Sequence, residues 1–498
     1  MEITKVLLSN YLPYAKGTII GRAIPSIDGF KPVQRRVIYS MYKSGLLQGK
    51  KSKSSTVVGR IMQLHPHGDM SIYESMVRMA EGNESLNVPY IESKGNFGKV
   101  YSKDLAFAAP RYTEVKLAEI CKELLEGIDE NAVDMINNFD DTTIEPTLLP
   151  VKFPTILVNP SSGIAVSTSS NIPSFALKNV CDATIGILDG SIGDAERLME
   201  VLGVPEFTTG GHVHASKEDL IELGKSGRGS FIVSGTVTTY PDRIVIHEIP
   251  YRTTAEAIIE AIEEYAKSGE LREVSNVSDE IDLNGFKLVV KLKRGSNPRE
   301  VLAKLCRYTN LRMKMSFITR VIINDRCEEL GLYSLLEHWI KFRMQTITRI
   351  YQYRCDKAKQ REHLLEAWEK IKDDVRAVAN LIANTNEDDA REQLAHRYGM
   401  TEEQLNYLLD MRIRSLTQDN LKKRLGELAK VREDVVGYIS VVNNDDVKKK
   451  MIIEELTKIR DRYGAERKTQ HADPIVETDE FKKEEIVDDT LVRVILTK

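Results

Sequence analysis

The chain has 498 residues, 70 basic and 74 acidic side chains for a formal net charge of −4, and a hydrophobic fraction of 42%. That composition supports a sizeable core and a length worth about three domains, and it excludes collagen-like, mucin-like and wholly disordered classes. No run reaches the 18 or more uncharged apolar residues of a membrane span, and the opening MEITKVLLSN lacks the order of a signal peptide, so a cytoplasmic location is expected. The five cysteines are odd in number, widely spaced and free of CxxC pairs, which argues against a disulfide framework or a cysteine zinc site.

Charge is unevenly placed. Residues 1–120 carry 17 Lys and Arg against 10 Asp and Glu, and the remainder is acidic. Within 22–60, Arg22, Lys31, Arg35, Arg36, Lys43, Lys50, Lys51, Lys53 and Arg60 face Asp28 alone. A phosphate-backbone footprint and a solvated basic face both fit such a cluster.

Residues 1–130 read mainly as helix, interrupted at Tyr90–Ile91 and in the turn-rich 94–99. Residues 146–300 are richer in Pro, Gly and β-branched types, with strands expected at 229–233, 243–246 and 287–290 and a helix at 254–268. Fifteen of sixteen prolines fall at or before Pro298, and the next is Pro474. Over that proline-free stretch, Leu332, Leu335, Leu336, Trp339, Ile340, Ile347, Ile350 and Tyr351 recur at spacings of three and four, as do Leu425, Leu428, Val431, Val435, Ile439 and Val442. Two long antiparallel helices with a small helical cap between them are expected, the pair reaching about 60 Å for forty residues. The segment Thr490–Thr497 reads as the first strand of a further domain that the chain does not contain.

Several strings could carry chemistry. His65-Pro-His67-Gly-Asp69 offers two metal-ligand types but has no second cluster to complete a shell, so no metal site is expected. Lys94-Gly-Asn-Phe-Gly98 lacks the spacing and the terminal Lys-Ser/Thr of a P-loop, and no Gly-x-Ser-x-Gly elbow occurs. In Pro110-Arg111-Tyr112-Thr113-Glu114, a tyrosine at a core edge is the ordinary explanation. A phenol beside a guanidinium can also attack a phosphodiester, the cation neutralising charge on the pentavalent phosphorus.

These strings, together with Gly21-Arg-Ala-Ile-Pro25, Asp28-Gly-Phe-Lys-Pro-Val-Gln-Arg-Arg36, Val57-Val-Gly59 and Val158-Asn-Pro-Ser-Ser-Gly-Ile-Ala-Val166, stand in the order seen in the A subunits of bacterial type IIA DNA topoisomerases. The resemblance continues through Phe207-Thr-Thr-Gly-Gly211 and His247-Glu-Ile-Pro-Tyr251. It implies a multidomain α+β fold: a winged-helix DNA-cleavage domain over 1–145, an α/β tower domain over 146–325, a long antiparallel coiled coil with a small helical dimer-gate domain over 326–472, and over 473–498 a linker and the start of a missing C-terminal domain.

By the same resemblance Tyr112 is the nucleophile that forms a 5′-phosphotyrosyl link, with Arg111, Arg22 and His67 as the other catalytic residues. Lys31, Arg35, Arg36 and His65 would hold DNA, and Ile164 would be a wedge between base steps. Implied partners are double-stranded DNA, a second copy of the chain through the coiled-coil gate, and a B subunit in an A2B2 assembly that binds the ATP and Mg2+. The alternatives are a non-catalytic architectural paralogue and, within the family, gyrase or topoisomerase IV, which this region does not separate. Where many members anchor a quinolone with a serine and an aspartate, this chain has Met70 and Glu74, so weak drug sensitivity is expected.

Overall fold

The computed structural model describes residues 5, 7–281, 285–411 and 417–475; the strand expected at 490–497 lies outside them. Among the described residues the chain is a mixed α/β protein with several small sheets and one long helical arm. No helix among them is long and apolar enough to cross a membrane.

Near the N-terminus three helices, Pro32–Lys43, Ser54–Ile61 and Asp69–Met79, pack on one another. The first starts at a proline, whose fixed φ and missing N–H suit a first helical turn, and the Lys31 N–H is taken by Gln34 Oε1 at 3.0 Å. Beside them lies a three-stranded antiparallel sheet in the order Ser52–Lys53, Glu114–Leu117, Ile91–Lys94. Two further strands, Phe97–Lys99 and Ser102–Phe107, form a hairpin. This part is thus less helical than the sequence suggested, because most of its strands are too short for a period-2 pattern to emerge. At Gly98, where the hairpin register shifts, φ is +68° and a Cβ would lie 2.6 Å from Leu105 O.

The strands expected at 229–233, 243–246 and 287–290 occur as Arg228–Ser234, Arg243–Ile246 and Leu288–Leu292, and the helix as Ala255–Ser268, capped by the Thr254 side chain. They fall into two sheets. A six-stranded sheet runs Gln470–Ala472, His212–His214, Arg228–Ser234, Arg312–Ile318, Thr168–Ile172, Ser161–Ala165. A four-stranded sheet, Val237–Thr239, Arg243–Ile246, Leu288–Leu292, Val274–Asp279, packs with Ala255–Ser268 and Pro298–Tyr308 around its own apolar core.

The long arm pairs Leu332–Ile371 with Gln418–Asn443 and Asp445–Tyr463. The contacts Arg343–Glu455, Lys448–Thr348, Tyr351–Tyr438 and Arg361–Glu427 run in opposite numerical directions, so the helices are antiparallel. The returning arm is two helices: Asn444 leaves helical φ/ψ and its side chain accepts from Asp446 N and Val447 N, starting the next one. Helices at 375–384, 387–398 and 402–409 gather with Leu365, Trp368, Ile371 and Leu428 into a separate core at the far end.

One apolar core runs from Ile27 through Val133, Leu149–Val158 and Val233 to Ile350 and Leu456. Gln470–Ala472, which follows the arm, pairs with His212–His214 as an edge strand of the six-stranded sheet. Contacts here follow strand pairing between distant segments, which composition along the chain does not report.

Inside that core Asp28 is fully buried and accepts from Arg35 Nε and Nη2 on its two oxygens, at 2.8 and 2.9 Å, and from the Leu149 N–H at 2.8 Å. Removing the carboxylate strands a buried cation. Asp28→Ala is therefore expected to cost about 3–5 kcal/mol of folding free energy in urea denaturation; a loss below about 1 kcal/mol would show that the pair is dispensable.

Candidate functional site

Tyr112 sits on a loop between the Ser102–Phe107 and Glu114–Leu117 strands, and 64% of its surface is exposed. The Arg111 guanidinium carbon lies 4.6 Å from the phenol ring centroid. The loop is pinned from behind by the fully buried Thr113. Its Oγ1 donates to Ser54 Oγ at 2.8 Å and lies 2.8 Å from the Tyr73 hydroxyl. The Ser54 N–H donates to Thr113 O, Ser55 N–H to Pro110 O, and Tyr73 OH to Ala108 O. On the other side Ala108 N–H donates to Asn96 O and Asn96 Nδ2 to Ala106 O, so the turn around Gly95-Asn96 braces the approach to the tyrosine.

A second group forms around the His-Pro-His turn. Arg36 makes a two-pronged pair with Glu145, 2.6 and 2.7 Å, and its Nη1 lies 3.0 Å from His65 Nδ1. Arginine can only donate, so Nδ1 accepts and the proton of the neutral ring is on Nε2. Burial, followed by the charges of Arg36, His67 and Arg22, lowers the His65 pKa to about 4. The two histidine rings meet edge-on at 4.5 Å, leaving His67 exposed. Arg22, also exposed, belongs to the single π-helical turn Ile19–Ala23.

Two of the side chains expected to meet DNA are buried. Arg35 was expected to hold DNA, but it is buried and committed to Asp28 and Phe30 O. His65 was expected in the same role, yet it is buried and uncharged near neutrality, so it supports its neighbours and presents no charge to a phosphate. Lys31 is half-buried; its ammonium donates to Ser162 O at 2.6 Å, and burial with the Arg78 charge pushes its pKa down. Ile164 stands near the end of the Ser161–Ala165 strand with 88% of its surface exposed. Met70 and Glu74 are exposed on Asp69–Met79. The structure thus gathers Arg22, Arg36, His65 and His67 and, separately, Arg111 and Tyr112; no hydrogen bond or ring contact joins the two groups among the described residues.

Sequence reasoning missed the outer face of the six-stranded sheet. In Arg312–Ile318, Arg312, Lys314 and Ser316 are exposed, whereas Met315 and Phe317 are buried. Cross-strand pairing sets Ser316 opposite Ser230 and Ser162 opposite Asn171. Arg252, in the left-handed region at φ +74°, donates to Asn171 Oδ1 at 2.7 Å. The polar–apolar alternation of 312–317 was the available signal. Among the described residues no three His, Cys, Asp or Glu side chains are placed to hold a metal.

The family model for the A subunit of DNA gyrase/topoisomerase IV matches residues 22–457, and the chain belongs to that family. It is similar to the DNA gyrase A subunits of Kosmotoga olearia, 34% identical over 508 residues with all of this chain and 62% of that protein covered, and of Thermotoga maritima, 34% over 495 residues with 97% and 60% covered. That of Deinococcus deserti is 34% identical over 478 residues, covering 94% and 58%. The chain spans about three-fifths of the length of the curated relatives it matches.

The His65 shift has a pH consequence. Between pH 6.5 and about 4 the unfolded chain binds the proton and the folded one does not, so His65 makes stability fall as pH falls through that window. Denaturation midpoints of wild type and His65→Gln, followed from pH 7 to 4, should converge toward acid; parallel curves would show an ordinary histidine.

Proposed function

We propose that this chain is the DNA breakage-and-rejoining subunit of a type IIA topoisomerase. The observation that carries the reading is an exposed tyrosine, stacked under Arg111, on a loop fixed by buried hydroxyls, in a chain of this family. Tyr112 Oη attacks the phosphorus of a backbone phosphodiester, the bond to the 3′-oxygen breaks, and a 5′-phosphotyrosyl ester forms. Reversal by the 3′-hydroxyl reseals the strand without external energy. Arg111, Arg22 and His67 face the phosphate and stabilise the charge that develops on its oxygens, since phosphoryl transfer is accelerated mainly by positioning and electrostatics.

In this reading DNA lies across the basic N-terminal surface, with Lys31 and Arg36 near its backbone, and Ile164 enters between base steps and bends the duplex. Unstacking there is offset by longer contact along the bent flank, which the Arg312, Lys314 and Ser316 face supports. The three N-terminal helices and small sheet act as the winged-helix domain, the two sheets of 146–325 as the tower, and the arm as a coiled coil whose end core forms the dimer gate. ATP and Mg2+ are bound by a partner B subunit in an A2B2 assembly that works on chromosomal DNA in the cytoplasm.

The test mixes the chain with a matching B subunit, magnesium, a nonhydrolysable ATP analogue and supercoiled DNA, then quenches with detergent. Covalent 5′-linked protein is expected with wild type and none with Tyr112→Phe. If wild type binds DNA and the B subunit but forms no link, the architectural reading replaces the catalytic one.

Met70 supplies no hydroxyl where a quinolone would be anchored. Drug-stabilised cleavage by the same assembly should therefore be weak and should rise in Met70→Ser; potent stabilisation with wild type would contradict this.

A further inference from the structure

We infer that Gly163 is a positioning residue for Arg22, through the packing of the Ser161–Ala165 strand on the Ile19–Ala23 turn. The inference rests on the phosphate-facing role proposed for Arg22.

Three contacts make the connection. A Cβ on Gly163 would overlap the carbonyl oxygen of Ala23, the residue after Arg22, and would lie 2.8 Å from its carbonyl carbon. Ala165, two residues on, packs on the small apolar cluster of Ala23, Ile24 and Ile322. On the other side of Gly163, Ser162 O receives the Lys31 ammonium. Gly163 has no left-handed φ, so the glycine is there for space and not for backbone freedom.

The contact is asymmetric. The strand pairs over five positions with Thr168–Ile172, and it continues from a segment, 151–159, that is buried throughout. The turn that carries Arg22 is one π-helical turn, preceded by Leu7–Tyr11 and Leu12–Thr18, which bury no residue. Pushed apart, the strand stays and the turn gives way. A methyl at 163 therefore moves Arg22 and leaves Ile164 in place.

The experiment uses the complex with the partner B protein and measures two quantities for wild type, Gly163→Ala, Arg22→Ala and the double variant. These are the rate of 5′-link formation at saturating DNA and the DNA Kd. Displacement of one stabilising group by about an ångström lowers a rate by about 100-fold. Gly163→Ala should approach that loss with DNA Kd near wild type, and should add nothing in the Arg22→Ala background. Losses that multiply in the double variant, or a wild-type rate in Gly163→Ala with an unchanged Tm, would overturn the inference. If Gly163→Ala does not fold, Ala165→Gly carries the test: it removes the packed methyl without a clash, and a smaller rate loss, again absent with Arg22→Ala, is expected, whereas additive losses reject the inference. A wild type that forms no Tyr112-dependent link removes the catalytic reading and this inference together, and is told apart from failure of the inference alone by an active wild type.

Discussion

A single buried carboxylate holds the N-terminal part of this molecule in register. Asp28 accepts from Arg35, Phe30 N and Leu149 N, while its own carbonyl accepts from Thr155 Oγ1. It thereby joins the Pro32–Lys43 helix, which carries Arg36 outward, to the segment at 149–158 that leads into the strand bearing Ile164. A charge with no exposure is tolerated only when its partners are complete, because desolvation costs several kcal/mol per ion. Gly29 follows the same logic: at φ +79° it lies against Thr155 and Ile156 so closely that any Cβ would collide with that backbone. Residues far apart in the sequence are thus fixed relative to each other.

The arm was legible in the sequence because its physics is local. Absence of proline and a 3.6-residue apolar period are sufficient for long helices, and Leu332, Leu335, Leu336, Trp339, Ile340, Ile347 and Ile350 are buried where the period put them. Strands at 228–234, 243–246 and 288–292 were legible for a similar reason, being β-branched runs between turns. What escaped was non-local. The six-stranded sheet recruits Gln470–Ala472 from beyond the arm and Ser161–Ala165 from before it, and no pattern within either segment names its neighbour. The site divides the same way. Motif order pointed to Arg22, His67, Arg111 and Tyr112, but counting cations treated Arg35 and Arg36 alike, although one turns into the core and the other toward the surface.

The electrostatics repeat that lesson. The nine cations between 22 and 60 are not nine phosphate contacts. Arg35 is neutralised by Asp28, Arg36 by Glu145, Lys43 by Asp129 and Lys53 by Glu114. A guanidinium whose one edge is held by a carboxylate still has N–H groups to offer elsewhere. For a chain of net charge −4, affinity for a polyanion comes from where the unpaired cations stand, and the acidic remainder limits non-specific adhesion away from that face.

Several side chains of the site stand next to, or two residues from, a residue sunk in the core. Thr113 stands behind Tyr112, His65 behind His67, Arg35 behind Arg36, and Ala23 behind Arg22. The reason is energetic. A group that must meet a phosphate in a fixed orientation works best if its freedom is already lost in the free protein, so that binding and chemistry do not bear that entropy. An exposed arginine or tyrosine has too few contacts to hold its own backbone, whereas the adjacent buried residue does so through hydroxyl pairs, ring stacking or ion pairing. Exchanging the exposed member of such a pair removes a function from an intact fold. Exchanging the buried member leaves the function's chemical group present and its position lost, which is why the two kinds of variant separate chemistry from placement.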